Sequence, residues 1–314
     1  MVPLSFWLGF HVVLFALLAL DLGIFHRKPH EISTREAMVW SIVWIAVALA
    51  FNAGVYRYMG PERGLEFFTG YLIERALSID NIFVIVVVFS FFGVPTAYQY
   101  RVLFWGILGA LAFRGALIAA GAALLERFHW LNFVFGAFVL VTGVRFFFHR
   151  PEKIEVARNP VLRLARRLLP VTQDYKGQAF FVRRAGRWAA TPLLLVLLLV
   201  ESVDLAFALD SVPAIFAVTH VPFIVYTSNV FAILGLRASY FLLAALVPRL
   251  RYLSAGLAAV LVFIGLKMLG EPWIPVSTGV SLLVVMGMLA VAVGASLVAQ
   301  AGKESAAGPG EDHR

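Results

Sequence analysis

Glu201-Ser-Val-Asp204-Leu-Ala-Phe-Ala-Leu-Asp210-Ser211-Val-Pro213 places three carboxylates inside an apolar run long enough to cross a bilayer. A second stretch, Glu74-Arg-Ala-Leu-Ser78-Ile-Asp80-Asn81, does the same with two. A charged side chain at bilayer depth costs at least about 2.5 to 3.5 kcal/mol on insertion scales, so charges there need a partner or a task. The five acids mark the candidate functional site.

The rest of the chain fits that reading. It has 314 residues, 61% hydrophobic and 14% charged, with apolar runs of span length from end to end. A water-soluble globular fold is excluded by that composition, and a polytopic membrane protein is expected. There is no cysteine, so disulfides, thiolate ligands and cysteine nucleophiles are all absent. Oxygen and imidazole remain as the strong ligands.

Hydropathy predicts an all-α protein of about nine spans, near 3 to 25, 37 to 59, 66 to 92, 99 to 125, 130 to 149, 191 to 218, 223 to 247, 252 to 269 and 276 to 299. The first is read as a retained span, since no basic residue precedes it and no small-residue cleavage site follows. The single membrane domain then covers residues 1–300. Residues 301–314, rich in Gly, Ala and charge, are expected to be a disordered tail.

The formal charge of +8 does not indicate nucleic acid, because 11 of the 26 Lys and Arg lie between Arg145 and Arg187. In a membrane protein such a cluster marks a cytoplasmic loop. Placing it there puts the N-terminus outside and the C-terminus in the cytoplasm. The cytoplasmic side then carries 19 basic residues and the outer side four, with Arg75, Arg114 and Arg237 inside spans. Within the loop, at about 150–190, Leu162-Arg-Leu-Ala-Arg-Arg-Leu-Leu169 reads as a basic helix suited to anionic lipid headgroups, with a solvated linker as the alternative.

The two acidic stretches align as an internal repeat. Glu74 falls over Asp204, Asp80 over Asp210 and Asn81 over Ser211; Ile107-Leu-Gly109 matches Ile233-Leu-Gly235, and Gly143-Val-Arg145 matches Gly265-Leu-Lys267. Spans 3 to 5 (about 66–149) would repeat as spans 6 to 8 (about 191–269). Span 3 runs inward and span 6 outward, so the copies are expected to be inverted, a plan that places substrate near the midplane where the halves meet.

At 100° per residue Glu74, Ser78 and Asn81 share one helix face, and Glu201, Asp204 and Ser211 share another; Asp80 and Asp210 fall to one side. An unbroken helix separates Glu74 from Asn81 by about 10 Å, too far for one ion to touch both. Pro213 predicts an interruption in span 6, which would free the Leu209 carbonyl beside Asp210.

Carboxylate, amide and hydroxyl oxygens suit Mn²⁺, Ca²⁺ or Mg²⁺ better than Zn²⁺ or Cu⁺. The candidate cation ligands are therefore Glu74, Asp80, Asn81, Glu201, Asp204 and Asp210, supported by Ser78, Ser211 and Arg114. The competing reading pairs the acids with Arg75, Arg114 or Arg237 as helix ties. Crowded carboxylates could also exchange protons for metal. His11 is expected to pack between helices, His220 to lie in an outer loop, Asp21 to anchor an interface, and Thr227-Ser228-Asn229 to cap a helix start. An intramembrane enzyme would want a nucleophile and base or an HExxH pair. Neither HExxH nor a Gly-x-Gly-Asp pattern is present, so no enzyme activity and no prosthetic group are expected. A membrane assembly factor remains the other alternative.

Glu74-x-x-Leu-Ser-Ile-Asp-Asn-Ile-Phe83 and Glu201-Ser-Val-Asp-Leu-Ala-Phe-Ala-Leu-Asp-Ser-Val-Pro-Ala-Ile-Phe216 resemble the signatures of the TerC family of integral membrane proteins. Leu103-Phe-Trp-Gly-Ile-Leu-Gly-Ala110 and Tyr226-Thr-Ser-Asn-Val-Phe-Ala-Ile-Leu-Gly-Leu-Arg237 extend the resemblance over nearly the whole chain. The resemblance implies a place in the LysE transporter superfamily, the tellurium-resistance association of the family name, and manganese efflux as in Alx-type members. It also implies a bacterial inner-membrane location and carries the ion site onto Glu74, Asp80, Asn81, Glu201, Asp204 and Asp210.

Overall fold

A computed structural model describes residues 2–23, 33–128, 130–148, 159–184, 186–243 and 252–306. The described chain is almost entirely helical: α1 Leu4–Gly23, α2 Thr34–Met59, α3 Pro61–Phe92, α4 Thr96–Arg127, α5 Leu131–Phe148, α6 Pro160–Leu168, α7 Pro192–Phe216, α8 Pro222–Leu234, α9 Leu236–Leu243, α10 Leu253–Gly270 and α11 Thr278–Ala306. Helices occupy every segment that hydropathy marks as a span. Six of them (α2, α4, α5, α7, α10 and α11) are long and apolar enough to cross a membrane. The apolar part of α1, Leu4–Leu20, and α8 are shorter.

Local chemistry sets the helix ends. Ser33 caps α2 through a bond from the Glu36 N–H at 3.2 Å. Gly60, at φ +98°, turns the chain between α2 and α3, and Pro61 opens α3 where its missing N–H costs nothing. Gly93, in the left-handed conformation, receives the end of α3. Proline opens α6, α7 and α8 in the same way.

Four helices form the centre: α3 packs on α7 and α8, and α4 packs on α7 and α8. Helices α1 and α2 close over α3 and α8 through an aromatic cluster that includes Phe10, Trp44, Phe67 and Phe231. The outward faces of α1, α2, α5 and α11 stay apolar and exposed, with Leu4, Ile42, Val141 and Leu283 among them. Such faces suit hydrocarbon rather than water.

Helix α5 and helix α10 pack along each other, and glycine permits the close approach. In lipid there is no hydrophobic force to draw apolar helices together, so small residues that admit the neighbouring backbone carry much of the association. A Cβ on Gly143 would meet the Val262 backbone nitrogen at 2.7 Å, and one on Gly265 would meet the Leu140 backbone nitrogen at 2.6 Å.

Several expectations need correction. Helix α7 runs unbroken through Pro213, which falls in its final turn, so the predicted interruption of span 6 is absent. A proline that near the end of a helix removes one bond where few remain to be lost. The break occurs instead in span 7, where Gly235 separates α8 from α9. The basic run does form a helix, α6, one side of which, Leu162 and Ala165, is buried with residues of α7. It is followed by an antiparallel hairpin, β1 Phe181–Arg184 with β2 Arg187–Ala190, a small addition to a chain that is otherwise all-α as expected. Tyr175, in the same loop, ties it to α3 by donating to the Phe92 carbonyl at 2.8 Å, and burial pushes its hydroxyl above the ordinary tyrosine range. Helix α11 continues to Ala306, past the expected start of the tail; residues 307–314 lie outside the described residues.

Candidate functional site

Helix α3 brings Glu74, Ser78 and Asn81 to one face by their spacing, and all three are buried. Helix α7 presents Asp204 and Ser211 toward them, and α4 supplies Arg114, itself 1% exposed. Arg114 grips Asp204 with two nitrogens, Nε to Oδ2 at 3.2 Å and Nη2 to Oδ1 at 2.9 Å. Its Nη1 donates to Glu74 Oε1 and to Ser211 Oγ, the latter at 3.3 Å. Asn81 Nδ2 donates to Asp204 Oδ1 at 3.3 Å. The planar guanidinium fork thereby bridges a carboxylate on α3 and one on α7.

Polar capacity is left over on α3 at this knot and elsewhere on α7 and α8. Glu74 Oε2, Ser78 Oγ, Asn81 Oδ1 and Glu201 Oε2 are buried without a hydrogen-bond partner among the described residues, as are both amide atoms of Asn229. Buried polar atoms are ordinarily paired, so a cluster of unpaired oxygens points to a ligand. They are hard donors, of the kind that Mn²⁺, Ca²⁺ and Mg²⁺ accept. Among the described residues no three His, Cys, Asp or Glu side chains come together. A cation held here would take two carboxylates with amide and hydroxyl oxygens.

Two small cavities meet at this knot and share Asn81. One is lined by Asn81, Asp204, Gly106, Ala110 and Ile233; the other by Glu74, Asn81, Arg114, Asp210 and Ser211.

The remaining candidates are distributed around the knot. Glu201, one turn before Asp204, lies over Gly109 of α4, where any Cβ would overlap its carboxylate. Asp210 lines the cavity beside the knot but is not bonded to Arg114, and it accepts from Thr142 of α5 at 3.4 Å. The side chains of Asp80, Asp21 and Arg237 lie outside the described residues.

Other residues were misread from sequence or not singled out. Arg75, weighed as a partner for the acids, instead donates to the Ala232 carbonyl at 3.2 Å and to Ser239 Oγ, closing the break between α8 and α9. The flanking carbonyls of a helix end need such a donor. Thr227, Ser228 and Asn229 do not cap α8: all three are buried within it, and Thr227 donates back to the Phe223 carbonyl at 2.7 Å. Glu66 was overlooked. Buried near the start of α3, it accepts from Thr219 Oγ1 at 2.6 Å and from Arg63 at 2.6 and 2.8 Å. Nearby a cavity of about 940 Å³ is lined by Arg63, Glu126, Asn132, His220 and Glu271 among others. His11 packs as expected, its ring stacked on Tyr226 with centroids 5.6 Å apart.

The helices and their buried charges define an integral, multi-pass membrane protein. Residues 59–304 match the family described as integral membrane protein TerC family, and the chain belongs to it. It is 54% identical over 292 residues to an uncharacterized membrane protein of Myxococcus xanthus, covering 93% of this chain and 92% of the relative. It is 46% identical over 294 residues, 91% of each chain, to a Salmonella typhi protein that carries the provisional name membrane-bound redox modulator Alx. The Escherichia coli K12 protein of that name is 46% identical over 292 residues, covering 90% of this chain and 91% of its own length. No solved structure matches the chain.

Proposed function

We propose that this protein is a carrier that exports divalent metal cations, Mn²⁺ foremost and Ca²⁺ or Mg²⁺ behind it, and exchanges them for protons. The observation that carries the reading is the meeting of Glu74 and Asp204, from two helices, on the buried Arg114, with unpartnered oxygens on Glu74, Ser78 and Asn81. Acids at such depth mark ion pathways in membrane proteins. The two small cavities that share Asn81 suit a closed intermediate of a carrier, with Asp210 lining the one that Glu74 and Arg114 also line.

The inverted repeat is part of the proposal. Its support is reciprocal packing: α3 lies on α8 as α4 lies on α7, and Gly143 meets Val262 as Gly265 meets Leu140. At the repeat offset of 122, Leu140 and Val262 are themselves counterparts. On this plan the chain crosses a bacterial inner membrane nine times, with its N-terminus outside and its C-terminus in the cytoplasm. The direction of transport is taken from the family resemblance. Arg163, Arg166 and Arg167 on α6, with Leu164 and Leu168 exposed, would rest on anionic headgroups.

The name of the Salmonella and Escherichia relatives suggests a redox role. This chain has no cysteine, so a dithiol couple of its own is unavailable to it. A tellurite-resistance or assembly role without transport is the remaining rival.

The test is Mn²⁺ efflux from loaded cells or proteoliposomes, comparing wild type with Glu74→Gln, Asp204→Asn, Asp80→Asn and Asp210→Asn. Glu74→Gln and Asp204→Asn should each abolish efflux. Wild-type rates in both would remove these acids from the site, and a wild type that moves no divalent cation would end the transporter reading.

A further inference from the structure

We infer that Arg114 is a built-in substitute cation, holding Glu74 and Asp204 when no metal is present and passing to Glu201 when a divalent cation takes those two carboxylates. The inference rests on the carrier reading above.

Three observations carry it. First, Arg114 engages both acids and Ser211 at once, so guanidinium and metal compete for one place. Second, a fixed tie would leave no acid without a partner, yet Glu74 Oε2 and Glu201 Oε2 are buried and unpaired. Third, a destination exists on α7, one turn from Asp204. Glu201 lies about 4.5 Å along the axis from Asp204, which Arg114 already holds, and its carboxylate lies over Gly109 of α4. The glycine leaves open the side of α4 that the carboxylate occupies.

Charge explains why such a device is useful. Two carboxylates without a counter-ion are costly at depth. A divalent cation neutralises both when cargo is bound, and Arg114 relieves them when it is not. The metal-free carrier, on the proton-bearing leg of the exchange, can then reorient. Net efflux, which requires that return step, therefore depends on Arg114, whereas one-for-one exchange of Mn²⁺ across the membrane does not.

The test uses the full chain in liposomes with Mn²⁺ alone. In Arg114→Gln, net efflux should fall about tenfold or more while Mn²⁺–Mn²⁺ exchange falls no more than about twofold, and the half-saturating Mn²⁺ concentration should drop. Glu201→Gln leaves Arg114 in place and should raise half-saturation about fivefold. That rise should vanish in the double variant, because the guanidinium it strands is gone. Arg114→Lys should restore part of the net efflux. Exchange falling in step with efflux in both Arg114 variants would overturn the inference, as would a Glu201→Gln effect of equal size in the Arg114→Gln background, which would make Glu201 a direct ligand. Either result, with wild type still moving Mn²⁺, leaves the carrier reading standing; a wild type that moves none removes both.

Discussion

Gly143 of α5 and Gly265 of α10 form a reciprocal pair, each admitting the other helix's backbone where a Cβ would come within 2.7 and 2.6 Å of a peptide nitrogen. Backbone cannot yield as a flexible side chain can. Gly143→Val and Gly265→Val should each destabilise the protein by about 1 to 3 kcal/mol, read as a lower melting temperature in detergent. Comparable losses from the two are expected, since the contacts are near copies of one another.

Gly109 differs because what lies over it is a carboxylate rather than backbone. Gly109→Ala should push Glu201 aside at little cost in stability, about 1 kcal/mol or less. Its effect should appear in transport, as a raised half-saturating Mn²⁺ concentration. A variant with lowered stability and unchanged transport would mean that Glu201 has only a packing role.

Arg75 closes the α8 and α9 break through Ala232 and Ser239. Arg75→Met keeps most of the bulk and removes the donors. It should cost about 1.5 to 3 kcal/mol, the range for hydrogen bonds to a charged group. Hydrogen exchange should quicken at residues 236–239 before it does elsewhere in the chain.

Metal should stabilise the folded carrier. Adding Mn²⁺ at about 100 times its dissociation constant should raise stability by about 2.7 kcal/mol, and EDTA should reverse the gain. Asp204→Asn should abolish this response, whereas Thr219→Val, which loosens Glu66 near the start of α3, should keep it while lowering the baseline melting temperature.

Lipid should matter at α6. Replacing Arg163, Arg166 and Arg167 with Gln should weaken attachment to anionic headgroups by about 1 kcal/mol per residue. Faster hydrogen exchange in α6 in nanodiscs containing phosphatidylglycerol, and unchanged exchange in neutral nanodiscs, is the expected pattern.

The sequence by itself determined that this protein belongs in a membrane, which segments are helical, and which residues share a face. Glu74, Ser78 and Asn81 point the same way because helical rotation is a local property, and Asp210 falls off the Asp204 and Ser211 face for the same reason. Only the tertiary structure decided what those faces meet. That Arg114, 40 residues from Glu74 and 90 from Asp204, joins the two, that Arg75 closes a helix break instead, and that α7 passes through Pro213 while α8 stops before Gly235, all depend on which helix lies beside which. The buried carboxylates announced themselves through the cost of burying charge in a bilayer. Their partners could not be read in advance, because a guanidinium on a long side chain can satisfy that cost from any neighbouring helix.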